Sequence, residues 1–205
     1  MSEKVNKFVA SRLSGQVVPN DLGAILTAIG DDPDFEESDE NPLKIVWAEP
    51  LWTNREYPLL DHNYLNDQDR ADSDIMANVK AMQDTEKKLK FVVQCADQSL
   101  IGYWQPDQKT PLEKCALFWL DTEGQYELTE GKTLSETLAY RALIDGDQDE
   151  YRSLIEAFSR LGIPVPETDE SAVFDAMDTR SAEIKQTPQR FRNQRYEHYR
   201  SMHKS

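Results

Sequence analysis

The sequence predicts an α+β fold, in which a single, mostly antiparallel sheet is backed by helices and followed by a helical C-terminal extension. Short apolar runs rich in β-branched and aromatic residues follow one another between residues 91 and 128, separated by polar turns. Runs with the helical spacing i, i+3, i+4, i+7 lie on both sides of them. With 39% hydrophobic and 30% charged residues, the 205-residue chain has the composition of a globular protein with one core.

Two helices are predicted at the N-terminus. The first carries an apolar stripe from Val5 to Leu13 and ends at Gly15, since glycine favours the backbone conformation found after a helix C-terminus. The second begins after Pro19, has four apolar residues at helical spacing, and ends at Gly30. Together these helices form the first part of the predicted core.

The next segment, residues 31–40, contains seven carboxylates in ten positions and shows no periodicity. Alternating acids within it resemble a calcium loop, but the glycine that such a loop needs is missing. Two interpretations remain: a solvated, mobile loop, or a surface that attracts a basic partner. In the second interpretation the residues that steer the partner are Asp31, Asp32, Asp34, Glu36 and Glu37.

Residues 44–48 are predicted to form the first strand of the sheet, because they combine β-branched and aromatic side chains. The region after it, through residue 60, is interpreted as an edge hairpin, with Trp47 and Trp52 on either side of its start. A polar stretch follows, and a helix is predicted from a cap at Ser73 to the basic residues at 87–88.

The central sheet is predicted from four runs, at residues 91–96, 100–104, 115–120 and 125–128. Thr133, with a glutamate three residues later, has the pattern of a capping box and predicts a helix over 133–144.

A break at 145–146 then separates this helix from another that runs to Leu161, and a further helix is predicted at about 169–185. Four acids at this break match a calcium-loop template, but the template's glycine is a glutamate here. We therefore expect Asp147 or Asp149 to cap a helix and expect no calcium. The four acids are Asp145, Asp147, Asp149 and Glu156.

Charge is distributed unevenly along the chain. The net charge is −15, but residues 184–205 carry about +5, which leaves about −20 for the rest. Such an acidic body repels nucleic acid and anionic lipid and attracts basic partners. For the basic tail from Pro188, with its interleaved aromatic residues, three alternatives stay open: it folds back on the acidic body, it contacts a partner or nucleic acid, or it is disordered.

Motifs for catalysis are missing from the sequence. There is no G-x-S-x-G elbow, no glycine-rich phosphate loop and no zinc-ligand spacing. His62, next to Asp61, is the only histidine expected in the folded body, and a solvated histidine is the expectation there. Cys95 and Cys115 fall in predicted strands and are expected to be reduced core thiols. With no signal sequence or membrane span, we expect a cytoplasmic protein without cofactor or metal.

Four segments resemble the SUKH superfamily, which includes yeast cell-wall regulators and bacterial toxin-immunity proteins. Residues 19–26 resemble the Pro-x-Asp-Leu opening of its second helix, and 91–104 resemble its core strand pair, with Gly102 in the second strand. Residues 117–126 and 133–138 resemble its next strand with an acidic turn and its closing segment. The resemblance covers residues 17–144 and implies an α+β domain with a protein-binding role and no catalysis.

The chain differs from that family in three places: an acidic insert at 31–42, a loop at 61–73, and about sixty additional C-terminal residues. We therefore divide it into a SUKH-like domain (1–146), a helical extension packed on that domain (147–187) and a basic tail (188–205).

Taken with the charge, the resemblance suggests an immunity protein that binds a basic toxin domain stoichiometrically. Exposed aromatics such as Trp52 and Trp104 would then be the anchors, because tryptophan is enriched at binding hot spots. Packing in the core is the alternative for both tryptophans. Two alternatives are a hydrolase with an unrecognised carboxylate site and a nucleic-acid-associated protein that acts through its basic tail. Nucleic acid is not expected as a partner for the acidic body.

Overall fold

A computed structural model describes residues 2–52, 60–61 and 65–202, apart from the side chain of Pro33. The helices are α1 (Glu3–Arg12), α2 (Asn20–Asp31), α3 (Pro42–Ile45), α4 (Asp67–Ala71), α5 (Ser73–Glu86), α6 (Leu134–Ile144), α7 (Gln148–Arg160), α8 (Glu170–Glu183) and α9 (Pro188–Met202). The strands are β1 (Glu49–Pro50), β2 (Leu89–Gln94), β3 (Leu100–Trp104), β4 (Leu117–Leu120) and β5 (Tyr126–Leu128). Within the described ranges no helix is both long and apolar enough to cross a membrane.

The five strands form one antiparallel sheet in the order β1-β2-β3-β4-β5, which confirms the predicted α+β class. The four predicted runs correspond to β2 through β5, and β3 has the predicted bounds. Helices α1 and α5 contact β2, while α9 contacts β5. One continuous buried cluster includes residues of α1, α2, β2 to β5, and of the C-terminal helices α6, α7 and α8.

The strand predicted at 44–48 is wrong, because the chain forms α3 there and β1 has only two residues. Asn41 caps α3: its Oδ1 accepts a hydrogen bond from the amide of Leu43 at 3.1 Å, and Pro42 occupies the first helical position. A capping asparagine followed by proline is a strong start signal for a helix, and here it outweighs the β-propensity of the following residues. The hairpin predicted through residue 60 lies largely outside the described residues.

The prediction that α2 ends at Gly30 is wrong by one residue, because the helix continues to Asp31. A Cβ atom at Gly30 would lie 2.7 Å from Ser2 Oγ and 2.8 Å from Val5 Cγ2. This glycine therefore allows the start of α1 to approach α2 closely, and it has no capping role.

A buried carboxylate connects the starts of α2 and α6. Asp21 is 7% exposed; its Oδ1 accepts from its neighbour Leu22 N at 2.8 Å, and its Oδ2 accepts from Ser135 N at 2.9 Å. The first amides of a helix have no partner within the helix, so an anionic side chain is stabilising there. Thr133 caps α6 as predicted, by accepting from the amide of Glu136.

The basic tail folds back on the body, which is one of the three alternatives that the sequence leaves open. Residues 188–202 form α9, which lies along α5. Arg195 Nε and Tyr199 Oη donate to Asp84 Oδ2 at 2.8 and 2.7 Å, and Arg200 pairs with Asp74 at 3.3 Å. Opposite charges on the two helices therefore hold the tail in place.

Acidification is expected to loosen α9. Burial would raise the pKa of Asp84, but hydrogen bonds from Tyr199, Lys87 and Arg195 outweigh it and lower the pKa. A carboxylate with a lowered folded-state pKa stabilises the fold above its unfolded pKa, about 3.9, and loses this contribution as the pH falls through the folded value. Amide hydrogen exchange of α9 measured from about pH 5 to about pH 2 should show protection that falls below about pH 4.

Asp84→Asn is the matched control for this prediction. The variant should show weaker protection of α9 at neutral pH and a smaller change on acidification. Protection that is equal in the two proteins at every pH would contradict a role for Asp84 in holding α9.

Candidate partner-binding surface

A cleft of about 310 Å³ lies between the start of α1, the acidic segment, α3 and β1. We call it the tryptophan cleft. Its described walls are formed by Lys4, Glu36, Glu37, Asn41, Lys44, Trp47, Ala48, Glu49, Pro50 and Trp52.

The acidic segment is folded against this cleft and is not a free loop. Residues Pro33–Glu37 form a 3₁₀ turn, which Asp32 caps by accepting from Asp34 N at 3.0 Å. Asn41, only 2% exposed, donates from Nδ2 to the carbonyl of Glu36 at 2.9 Å. The same asparagine that caps α3 thus fixes the position of Glu36.

Trp52 forms the deep wall of the cleft. It is 2% exposed, and its ring meets Phe8 edge-to-face at a centroid distance of 5.6 Å. Its Nε1 donates to Glu36 Oε1 at 2.9 Å, which provides the partner that a buried indole requires. Lys4 Nζ lies 4.0 Å from the ring centroid and 2.6 Å from Glu36 Oε2.

Trp47 forms the outer wall, and 71% of it is exposed. It has a left-handed backbone, with φ of +50°, at the position that follows the cap of α3. Ala48 N donates to Leu43 O at 2.8 Å and Trp47 N to Lys44 O at 3.1 Å, which is the Schellman hydrogen-bond pattern. Glycine is the usual residue at this position, and a bulky side chain there costs about 1–3 kcal/mol. An exposed tryptophan in strained backbone is thus unfavourable for folding and suggests a role in binding.

The structure brings together three of the seven predicted site residues. Glu36, Glu37 and Trp52 line the cleft. Asp31 ends α2, while Asp32 and Asp34 belong to the neighbouring turn, so these three do not contribute to the cleft walls that the structure describes.

Trp52 and Trp104 are packed in the core, which is the alternative expected for both, and they are not exposed anchors. Trp104 is 4% exposed; its Nε1 donates to Gln186 O at 2.8 Å, and its ring packs on Phe191 of α9 at 5.7 Å. Trp47, which belongs to the segment predicted as a strand, is the exposed tryptophan. The Asn41-Pro42 pair is a helix-start signal in the sequence, and a helix that begins there places Trp47 just after its end.

A second cleft, of about 320 Å³, lies between the sheet and helices α6 and α7. Trp119 Nε1 and Arg141 Nη1 donate to the two oxygens of Glu130, at 2.9 and 3.1 Å, and Arg141 Nε donates to Asp145 Oδ2 at 3.0 Å. The pKa of Glu150, which lines this cleft, is raised mainly by burial and to a smaller extent by the negative charges of Asp147 and Asp145.

The predicted helix cap and the two predicted thiols have structural roles. Asp147 caps α7, as predicted, by accepting from Glu150 N. Cys95 and Cys115 are free thiols, as predicted, but both lie just outside the strands and Cys95 is only half-buried. Burial raises their pKa values to about 12 and about 11, so both stay protonated at neutral pH. His62 lies outside the described residues. Among the residues that are described, no three His, Cys, Asp or Glu side chains are grouped so that they could hold a metal ion.

Comparison with models of known protein families gives no match, and comparisons with curated proteins and with solved structures give none either.

Proposed function

We propose that this chain is a non-catalytic protein-binding domain of the SUKH kind, and that it neutralises a cognate basic toxin by forming a one-to-one complex. The observation that carries the proposal is Trp47, a largely exposed tryptophan in left-handed backbone beside a concave surface. Exposed aromatic residues next to pockets are typical hot spots of protein interfaces. A residue that disfavours folding but offers a large apolar contact is best explained by a partner.

Charge supports a basic partner. The chain has a net charge of −15, and seven carboxylates lie in residues 31–40 next to the cleft. A field of this sign accelerates the approach of a positively charged protein, and rim charges change the association rate more than the final affinity. A toxin that cleaves nucleic acid has a basic active-site cleft, which an acidic inhibitor can cover.

A hydrolase that uses the second cleft is the alternative with a specific observation in its favour, the raised pKa of Glu150. Other acids of that cleft have structural tasks, however. Asp121 Oδ1 accepts from the amides of Glu123 and Gln125, Asp97 Oδ1 accepts from Ser99, and Asp145 pairs with Arg141. These contacts hold turns and a helix end, which argues against these three acids as the second acid of a catalytic pair with Glu150.

A nucleic-acid role for the tail is weakened by its contacts. Arg192 donates to Gly124 O and Asn78 Oδ1, and Arg195 and Arg200 pair with acids of α5. Three of its arginines are therefore engaged within the chain. Truncation after residue 187 should loosen α5. Any binding of the full-length chain to nucleic acid should show no steep salt dependence that this truncation removes.

Co-expression with the product of each neighbouring gene tests the proposal. We expect one neighbour that is lethal alone and harmless with this protein, and that co-purifies with it at one-to-one stoichiometry. If no neighbour kills and binds, the proposal fails.

Trp47→Gly separates binding from folding in that complex. Loss of the ring should weaken the complex by about 30-fold or more, which corresponds to about 2 kcal/mol. Relief of the left-handed strain should at the same time raise the free energy of unfolding by about 1 kcal/mol. Titration calorimetry and urea unfolding measure the two effects.

Phe174→Ala is the matched control, because Phe174 is an exposed aromatic residue (45%) on α8, whose residues are not among those lining the cleft. This variant should bind the toxin normally. Equal binding by wild type and Trp47→Gly would exclude Trp47 as an anchor.

A further inference from the structure

The tryptophan cleft contains two units of the same composition, each made of a tryptophan, a glutamate and a lysine. In the first, Lys4 Nζ lies 4.0 Å from the ring centroid of Trp52 and 2.6 Å from Glu36. In the second, Lys44 Nζ lies 5.6 Å from the ring centroid of Trp47 and 2.7 Å from Glu37. All six residues line the one cleft.

Each unit has the chemistry of a receptor for a cation. A ring face attracts a positive charge through its quadrupole, and a carboxylate beside the ring adds an ionic hydrogen bond. In the first unit the carboxylate is held in place by the Trp52 indole and, through its backbone, by Asn41. In both units a lysine of the chain itself lies over the ring and beside the carboxylate.

We infer that Lys4 and Lys44 are internal stand-ins, and that the tryptophan cleft accepts arginine side chains of a basic partner protein in their place. The inference names the chemistry of the partner at the surface of the proposed function and rests on that function for its biological meaning. Arginine suits both receptors better than lysine, because its planar guanidinium binds carboxylates through two parallel hydrogen bonds and stacks on aromatic rings.

Displacement of the two lysines is expected to cost the fold little. Their side chains are 44% and 35% exposed, and exposed ion pairs contribute little to stability. Lys4 lies in the first turn of α1, where the helix dipole disfavours a cation, so the stability of α1 does not explain its position. Its presence over Trp52 is better explained by the receptor itself.

Binding of short peptides tests the inference directly. The probes are fluorescently labelled tetra-arginine and tetra-lysine, measured by fluorescence anisotropy at low and at physiological salt. We expect tetra-arginine to bind the wild type several-fold more tightly than tetra-lysine. The double variant Lys4→Ala/Lys44→Ala, which removes both stand-ins, should bind tetra-arginine about tenfold more tightly than the wild type.

Lys109→Ala/Lys114→Ala is the matched control. It makes the same change in net charge, at two exposed residues that do not belong to the described cleft walls. We expect a change of less than about threefold in this variant, of the size that long-range charge produces. Glu36→Gln/Glu37→Gln should weaken tetra-arginine binding, and thermal unfolding should show that all variants remain folded.

Equal tightening in the two lysine double variants would overturn the inference, because only net charge would then matter. No tightening in Lys4→Ala/Lys44→Ala would overturn it as well. The peptide measurement involves no toxin, so failure to find a lethal neighbour would refute the proposed function and leave the receptors intact. Conversely, a toxin complex that forms while the peptides behave alike would refute only the receptors.

Discussion

Replacing Arg180 by methionine is expected to cost about 3–5 kcal/mol of the free energy of unfolding. Arg180 of α8 is half-buried, and its guanidinium donates to three consecutive carbonyls: Gly131 and Thr129 at 2.6 Å, and Glu130 at 2.8 Å. These carbonyls belong to the loop between β5 and α6. Methionine fills similar space but removes all three bonds, and only the Gly131 carbonyl keeps a partner of its own among the described residues, the Thr129 hydroxyl at 3.1 Å. Each hydrogen bond to a charged group is worth about 1.5–3 kcal/mol before non-additivity.

Urea unfolding measures the cost, and two variants serve as controls. Arg180→Lys keeps the charge but loses the fork of donors, so it should be intermediate. Arg152→Met removes a side chain that is 73% exposed and should change stability by less than about 0.5 kcal/mol. A loss below about 1 kcal/mol in Arg180→Met would show that the loop is held by other contacts.

The second large effect is expected at Gly131, in the same loop. A Cβ atom there would lie 2.5 Å from the carbonyl carbon of Glu136 and still closer to the amide nitrogen of Thr137. Both obstacles are backbone of α6, which cannot rotate away as a flexible side chain could. Gly131→Ala should therefore destabilise the fold by about 3 kcal/mol or more, at the upper end of overpacking costs.

Gly23→Ala makes the same chemical change where space allows it. Gly23 lies inside α2, and the nearest atom to its missing Cβ is Val18 Cγ1 at 3.7 Å, an ordinary contact. This variant should be stabilised by about 0.5–1 kcal/mol, because alanine favours the helix. Similar stability of the two alanine variants would contradict the close approach of the loop to α6.

The sequence alone determined strands β2 to β5 and most of the described helices, because their signals are local. The apolar run at 100–104 coincides with β3, and the hydroxyl at Thr133 caps α6 as its spacing predicted. Asp147 likewise caps α7. In each case the physical cause, a propensity or a hydrogen bond to an amide a few residues away, is contained in the sequence that shows the pattern.

Residues 44–48 show where local signals compete. Their β-branched and aromatic residues favour a strand, but the cap at Asn41 and the proline at 42 start a helix, and α3 then places Trp47 in the left-handed position after its end. The sequence contains both signals, and only the folded chain shows which of them prevails.

Only the tertiary structure decided which tryptophans are buried and which carboxylates are paired. Trp52 is covered because Phe8, Lys4 and Glu36 meet it from elsewhere in the sequence, and Trp104 is covered because α9 returns across it. Burial and charge pairing depend on which elements meet in space, which no local pattern specifies. No sequence pattern distinguishes the seven acids of 31–40 from one another. Only Glu36 and Glu37 among them line the tryptophan cleft as the structure describes it, because the fold brings these two to the cleft.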